Sequence, residues 1–178
     1  GTIMVIDVHT HIFPDELALK VVPKMAQEAK IKEAIDGTKD GLLASMKEAG
    51  INVCWLQPVA TNPAQVDKIN QFLEQVRSKS LIPFGSVHPE YEDLKGLVED
   101  LASRGFPGVK VHPEYHQIQP GDSIWEPLFQ ALIDHEMMVL FHAGEDIGIP
   151  TIHSHPRDFV EIKKKYPDLK MILAHMGG

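Results

Sequence analysis

Histidine side chains recur in this sequence where predicted β-strands end. Six of the ten histidines have this position: His9, His11, His88, His112, His142 and His175. The strands alternate with turns and helices, a repeat that sends the carboxyl ends of parallel strands to one side of a sheet. We therefore expect these imidazoles to converge in space, and several imidazoles in one place are typical of a metal site.

His9 and His11 form the most direct metal-ligand pattern. Residues two apart on a strand point to the same face with their α-carbons about 6.6 Å apart, so both rings can reach one ion. Zinc accepts imidazole nitrogens at about 2.0–2.1 Å, which two such rings can supply without distorting the backbone. Asp7 shares that face. It is predicted to orient a metal-binding histidine through a hydrogen bond rather than to bind the metal itself.

His142 and His175 follow the apolar runs Met137–Phe141 and Met171–Ala174. Glycine comes two residues after each histidine, which lets backbone and substrate approach closely. Taken singly, either histidine could be satisfied by neighbouring backbone at a strand end. Taken with the His-x-His pair, both are predicted to belong to the metal site.

Lys110 and His112 lie on one face of the fourth predicted strand, so both can point into one pocket. Lys110 is predicted to hold a substrate carboxylate as a compact cation, or to bridge two metals if it is carboxylated. An ion pair with Asp7 or Glu114 is an equally good interpretation. His112 is predicted to contact substrate, with structural packing as the alternative.

The segment VHPEY occurs twice, at Val87–Tyr91 and Val111–Tyr115. In the first copy His88 is predicted to lock the turn together with Pro89. Another two histidines, His116 and His135, are predicted to lie in a loop and on a helix surface.

A second His-x-His, His153 and His155, lies between prolines with no strand before it. We predict a loop there that borders the pocket opening. Glu145 and Asp146 follow His142 and are predicted to be ordinary loop acids, with substrate contact as the alternative.

Short β-rich runs alternate with segments of helical period along the whole chain. The predicted strands are Ile3–Val8, Ile51–Val59, Leu81–Val87, Gly108–Val111, Met137–Phe141 and Leu169–Ala174. The predicted helices are Lys39–Ala49, Pro63–Ser78, Tyr91–Arg104, Ser123–His135 and Pro156–Tyr166. Near-continuous apolar strands indicate a parallel α/β sheet covered by helices. Residues 14–36 are predicted to be a helical insertion that can roof a site.

Composition favours one globular enzyme-like domain over residues 1–178. Twenty-five acidic and 17 basic residues give a net charge of −8 with no long basic run, which argues against nucleic-acid and anionic-membrane partners. The longest apolar run is far shorter than the ~20 residues of a membrane-spanning helix, and a cytoplasmic protein is expected. The single cysteine, Cys54, is predicted to be a buried hydrophobe.

Four segments are specific in combination: IDVHTHIFPD at Ile6–Asp15, GVKVHP at Gly108–Pro113, LFHAGE at Leu140–Glu145 and LAHMGG at Leu173–Gly178. Together they resemble the amidohydrolase-related family of the metal-dependent hydrolase superfamily, in the branch that includes aminocarboxymuconate-semialdehyde decarboxylase. The resemblance spans essentially the whole chain, with the motifs in family order.

The resemblance implies a TIM-type (β/α)₈ barrel with its site at the carboxyl ends of the strands. It implies His9, His11 and His142 as metal ligands, and His175 as the histidine that binds or polarises the reacting group. Family members place a metal-binding aspartate after strand eight, whereas this sequence stops just past strand six. Because such barrels run to ~250 residues, we expect a barrel truncated after strand six.

Three functions remain open at this point. The first is a metal-dependent hydrolase cleaving an amide, ester or lactone bond of a small molecule, with the ion lowering the pKa of bound water toward ~7 and His175 moving a proton. The second is metal-dependent, non-oxidative decarboxylation of an aromatic or unsaturated carboxylic acid. The third is a truncated, non-catalytic metal-binding module that acts through open sheet edges.

The expected cofactor is a divalent metal, zinc in the first place, with manganese or another transition metal as alternatives. The expected partner is a small-molecule substrate, and open strand edges are compatible with a homo-oligomer.

Overall fold

Parallel strands form the inner wall of the computed structural model, which describes residues 3–30, 32–33 and 35–178. They are β1 (Ile6–Thr10), β2 (Val53–Leu56), β3 (Leu81–Pro83), β4 (Gly85–Ser86), β5 (Gly108–Val111), β6 (Met138–Phe141) and β7 (Lys170–Leu173). The strand orders are β1-β2-β3 and β4-β5-β6-β7, and each pairing is parallel. The predicted parallel sheet is confirmed, with shorter strands than the apolar runs suggested.

The third predicted strand is divided at Phe84. β3 pairs with β2 before this residue, and β4 pairs with β5 after it, while the Phe84 N–H donates to the Leu56 carbonyl oxygen at 2.9 Å. Gly108 is required opposite the division, because an added Cβ would lie 2.5 Å from the Met138 carbonyl oxygen and 2.8 Å from the Phe84 ring. Strands β1 to β7 therefore follow one another in the sequential order of a barrel wall.

Helices connect the strands: α1 (Asp15–Ala29), α2 (Lys39–Ala49), α3 (Val66–Val76), α4 (Leu94–Ser103), α5 (Pro113–His116), α6 (Glu126–Asp134) and α7 (Pro156–Lys165). Short 3₁₀ segments, Pro63–Gln65 and Ser123–Trp125, precede α3 and α6, and a third, His175–Gly177, follows β7. The helix α2 has the predicted bounds, because Thr38 accepts the Gly41 N–H at its start and Gly50 adopts a left-handed conformation at its end.

The predicted helical insertion contains α1, and Pro23 lies inside that helix without ending it. The helix ends at Lys30, which is in the left-handed conformation. Residues 31 and 34 of the predicted insertion lie outside the described part of the chain. The helix therefore accounts for the first half of the segment predicted to roof a site.

Aromatic side chains pack the outer face of the wall around β6. Phe141 is fully buried, and its ring lies 6.0 Å from that of Phe129 and 5.2 Å from that of Phe159, centroid to centroid. Burying a side chain of this size stabilises a fold by about 1.5–3 kcal/mol. This packing holds β6, the strand that ends at His142.

Cys54 is fully buried in β2, as predicted from its apolar neighbours. Within the described residues, the helices are all too short or too polar to cross a bilayer.

Candidate metal centre

A β-bulge in β1 sets the direction of the first two histidines. Asp7 pairs with Cys54 and Thr10 with Leu56, so β1 contains one more residue than β2 over this stretch. The Asp7 carboxylate accepts the His9 backbone N–H at 3.0 Å. Bulges commonly re-aim a side chain beside a functional site, and here the interval between Asp7 and Thr10 that contains the bulge includes His9.

Gln57 satisfies the other backbone group that the bulge leaves free. Its side-chain amide donates to the Val8 carbonyl oxygen at 3.0 Å, and its backbone N–H donates to the Thr10 carbonyl oxygen at 2.8 Å. The residue is 2% exposed. Gln57 was missed in the sequence; it lies inside the predicted strand Ile51–Val59 and directly after the observed β2, and a polar residue within an apolar run was the available signal.

The four predicted site histidines lie together. The ring centroids of His9 and His11 are 4.9 Å apart, those of His9 and His175 are 5.1 Å apart, and those of His142 and His175 are 4.8 Å apart. Segments 33 to 166 residues apart along the chain thus supply one cluster of imidazoles. With His112, which stacks on His142, five of the six strand-end histidines come together; the sixth, His88, packs against His116 instead.

His11 and His142 each hold one ring nitrogen on a backbone carbonyl. His11 Nδ1–H donates to the Gln57 carbonyl oxygen at 2.7 Å, and His142 Nε2–H donates to the Glu145 carbonyl oxygen at 3.3 Å. Histidines that bind metals usually donate their second nitrogen in this way, which fixes the tautomer and leaves a lone pair on the other nitrogen. His11 Nε2 and His142 Nδ1 are therefore suited to a divalent ion.

His175 occupies the His142 ring nitrogen, Nδ1, that is suited to a metal. Its Nε2–H donates to His142 Nδ1 at 3.2 Å. The residue is exposed and has a φ of 52°, so it adopts the left-handed conformation without being glycine. Such a conformation costs roughly 1–2 kcal/mol, and strain of this kind is concentrated at functional sites.

Lys110 is the buried cation of the cluster. Its side chain is 1% exposed, and its ammonium donates to His9 Nε2 at 3.3 Å. Burial lowers the pKa of Lys110 to about 7. Among the described residues no carboxylate lies within 4.0 Å of this ammonium, because Asp7 is bonded to His9 N–H and Glu114 to the loop around Ser154. The ion-pair interpretation of Lys110 was wrong.

Burial and neighbouring positive charge keep the imidazoles neutral. The pKa of His9 is lowered to about 3, by burial first and then by the charge of Lys110. Burial and Lys110 also lower the pKa of His142. A neutral imidazole retains the lone pair that a metal requires. At neutral pH these rings are therefore in the protonation state suited to metal binding.

His112 supports His142 instead of projecting freely into the pocket. The two rings are stacked, with centroids 4.0 Å apart and planes inclined by 13°. His112 Nδ1 accepts the Tyr115 backbone N–H at 3.3 Å, so its proton is on Nε2, which faces an Asp146 carboxylate oxygen at 3.5 Å. The predicted substrate contact of His112 stays a prediction.

Within the described residues, His112, His142 and Asp146 form a group whose ligand atoms all lie within 4.8 Å of one another. The stacking of the two rings argues against a shared ion. An ion lying about 2.0–2.1 Å from a nitrogen in the plane of one ring would lie well above the plane of the other. The nitrogens of His9, His11 and His142 are not all within 4.8 Å of one another in the described chain, so this ligand set stays a prediction.

The two VHPEY segments use their histidines alike. His88 Nδ1 accepts the Glu90 backbone N–H at 3.2 Å, in the same way that His112 Nδ1 accepts the Tyr115 N–H. His88 therefore locks its turn as predicted. The predicted loop position of His116 was wrong: it lies in α5, is 8% exposed and is bonded to the Ala60 carbonyl oxygen.

The end of α1 lies near the loop that follows β6. Burial raises the pKa of Tyr115, and the carboxylates of Asp146 and Glu28 raise it further. Glu28 belongs to α1 and Asp146 to the β6–α7 loop, so carboxylates of both segments act on the pKa of one phenol. The role of the insertion as a roof stays a prediction.

Residues 6–178 match the protein family described as Amidohydrolase. No curated protein is matched by the sequence. Among solved structures, the chain is similar to 5-carboxyvanillate decarboxylase from Sphingomonas paucimobilis, with a TM-score of 0.70, 13% identity and coverage of 99% of this chain and 68% of that one.

It is also similar to 5-carboxyvanillate decarboxylase from Novosphingobium aromaticivorans complexed with manganese and 4-hydroxy-3-methoxy-5-nitrobenzoic acid (TM-score 0.71, 16% identity, 98% of this chain, 65% of that one). A third match is 4-oxalomesaconate hydratase from Rhodopseudomonas palustris (TM-score 0.62, 19% identity, 98% of this chain, 64% of that one). The likeness confirms the predicted barrel fold, and the chain spans 64–68% of the length of these three proteins.

Proposed function

Since the chain belongs to the amidohydrolase family, we propose that it is a metal-dependent enzyme that decarboxylates a small aromatic or unsaturated carboxylic acid. The proposed metal ligands are His9 Nε2, His11 Nε2 and His142 Nδ1. Three imidazole nitrogens suit zinc, while the similar decarboxylase from Novosphingobium was solved with manganese. Both ions are therefore candidates.

The observation that carries this proposal is the buried ammonium of Lys110. A charge removed from water costs several kcal/mol unless an opposite charge compensates it. No carboxylate of the described chain lies within 4.0 Å of Lys110, and its nearest polar partner is a neutral imidazole. A substrate carboxylate would supply the missing charge. A neutral amide or ester would not.

When bound, the divalent ion supplies a Lewis acid that withdraws electron density from the substrate. Lys110 binds the substrate carboxylate and orients the bond that is to break. The buried stack of His112 on His142 keeps water from that side of the pocket. These residues together hold an anionic substrate beside the histidine cluster.

His175 is the proposed proton carrier. In decarboxylation the bond between the carboxylate carbon and the ring or vinyl carbon breaks, and carbon dioxide leaves. The electron pair stays on the ring or vinyl carbon, which takes a proton from His175, and the imidazole then recovers a proton from water. The exposed position of His175 beside His142 supports this role.

The test is a metal-loaded screen of the full chain. Protein loaded with zinc or manganese is offered a panel of hydroxybenzoates and unsaturated acids, with detection of carbon dioxide. We expect stoichiometric metal in the wild type and in both variants, and turnover that is lost in Lys110→Met and retained in the exposed control Lys47→Met. A protein that binds neither ion stoichiometrically would refute the proposal.

Hydrolysis of an amide, ester or lactone is the second candidate. It is supported by the same exposed imidazole, because a positioned histidine can act as a base toward water as well as an acid toward carbon. A parallel panel of neutral amides, esters and lactones separates the two activities. Turnover of these without carbon dioxide release would replace the first candidate by the second. Bound metal with neither activity would favour the non-catalytic module.

A further inference from the structure

Glu114 is a fully buried carboxylate outside the histidine cluster. It accepts the His153 backbone N–H at 2.7 and 3.0 Å and His153 Nδ1–H at 2.8 Å. It also accepts the Ser154 backbone N–H at 3.0 Å and the Ser154 hydroxyl at 3.1 Å. Its side chain is 0% exposed. All of these donors belong to the loop between β6 and α7.

These hydrogen bonds keep the carboxylate ionised. Burial raises the pKa of Glu114, but the bonds from His153 and Ser154 outweigh burial and lower it overall. A buried anion held by several donors is a strong and directional anchor, because charge-assisted hydrogen bonds are roughly twice as strong as neutral ones. The loop is thus tied to α5 at one point.

The same loop orients His142. The Ser154 hydroxyl lies between the Glu114 carboxylate and the Gly144 carbonyl oxygen, 3.3 Å away. The next residue, Glu145, supplies the carbonyl oxygen that accepts His142 Nε2–H. The Ser154 hydroxyl has one proton, so it is shared between the Glu114 and Gly144 acceptors. This three-centre hydrogen bond, one peptide unit and the His142 hydrogen bond together connect Glu114 to the ring of His142.

We propose that Glu114 is the positioning residue that holds the β6–α7 loop so that His142 presents Nδ1 to the metal. This inference rests on the proposed function, in which His142 is a ligand. It assigns a role to the second VHPEY segment and to the second His-x-His, neither of which contributes a ligand to the proposed centre. Groups that orient a ligand commonly change metal affinity 10–100-fold when removed.

The first VHPEY segment provides a matched control. Glu90 occupies the same position in the repeated motif as Glu114, but its side chain is exposed. Glu114→Gln keeps the size of the side chain and turns one acceptor into a donor, which then faces the N–H and O–H donors of His153 and Ser154. Glu90→Gln makes the same chemical change where no such donors exist among the described contacts.

The experiment measures the full chain in two ways. Zinc affinity is measured by competition with a chelator, and the His142 tautomer is measured in metal-free protein by ¹⁵N NMR of the imidazole nitrogens, assigned with His142→Gln. For Glu114→Gln we expect about 10–100-fold weaker zinc binding and loss of the single Nε2–H tautomer. For Glu90→Gln we expect wild-type affinity and the wild-type tautomer.

Two further results keep the inference falsifiable. If Glu114→Gln does not fold, Ser154→Ala removes only the hydroxyl between Glu114 and Gly144, and about threefold or greater loss of affinity is expected. A folded Glu114→Gln or Ser154→Ala protein with unchanged affinity and tautomer would overturn the inference. A third outcome separates the two proposals. If the wild type has the expected His142 tautomer and Glu114→Gln loses it, Glu114 positions His142; if the wild type then binds neither zinc nor manganese, the proposed function alone is wrong.

Discussion

The Lys110 ammonium lies 3.3 Å from Nε2 of His9, the atom proposed to bind metal. The cation and a divalent ion therefore compete for one lone pair. At about 5 Å and an effective dielectric constant of 20, a unit charge is repelled by a divalent ion by roughly 6–7 kcal/mol, which burial does not screen. Metal binding is therefore expected to displace this ammonium from His9 Nε2, toward the substrate carboxylate that it is proposed to bind.

Lys110→Met is consequently expected to bind zinc and manganese more tightly than the wild type, by about tenfold or more, since 1.4 kcal/mol corresponds to tenfold. It also removes a buried charge, so the free energy of unfolding is expected to rise. Calorimetric titration and denaturant unfolding measure the two effects. Weaker metal binding in Lys110→Met than in Lys47→Met would show that the lysine supports the ion rather than opposes it.

Replacing His9 and His11 together by alanine is expected to abolish stoichiometric metal binding, because two of three proposed ligands are lost. Elemental analysis after loading and dialysis gives the metal content. His135→Ala changes an exposed histidine at the end of α6 and should retain full content. Equal metal in the double variant and the control would exclude this ligand set.

Gln57→Leu tests the bulge. The substitution leaves the Gln57 carbonyl for His11 but removes the amide that satisfies the Val8 carbonyl. Loss of this part-buried hydrogen bond is expected to cost about 0.5–1.5 kcal/mol, and a shifted bulge should weaken zinc binding. Chemical denaturation and chelator competition report these changes. Gln75→Leu, on the exposed side of α3, should change neither.

The stabilising effect of Glu114 depends on pH in a defined direction. Its pKa in the folded protein is lowered, so its contribution is present above the unfolded value of about 4.3 and is lost as the pH falls through the folded value. The difference in unfolding free energy between wild type and Glu114→Gln should be constant above about pH 5.5 and shrink below pH 4. A difference that grows on acidification would contradict the ionised state.

Much of the wall was predictable because each strand carries its own signal. The apolar runs ending at Phe141 and Val111 are covered on both faces, and such runs are typical of parallel strands. The bounds of α2 follow from Thr38 and Gly50, two local capping residues. The division of the third strand at Phe84 was not predictable, because it depends on which neighbour each half pairs with.

The sequence by itself determined the candidates for the centre, since the carboxyl ends of strands in a parallel barrel face one side; it did not separate them from His88 and His112, which lock turns. Only the tertiary structure decided how they are oriented: the bulge between Asp7 and Thr10, the tautomers of His11 and His142, the stacking of His112 and the burial of Glu114. These features depend on partners tens of residues away in the chain. Hydrogen-bond geometry between distant segments leaves no local periodicity or propensity in a sequence, which is why it appears only when the chain is folded.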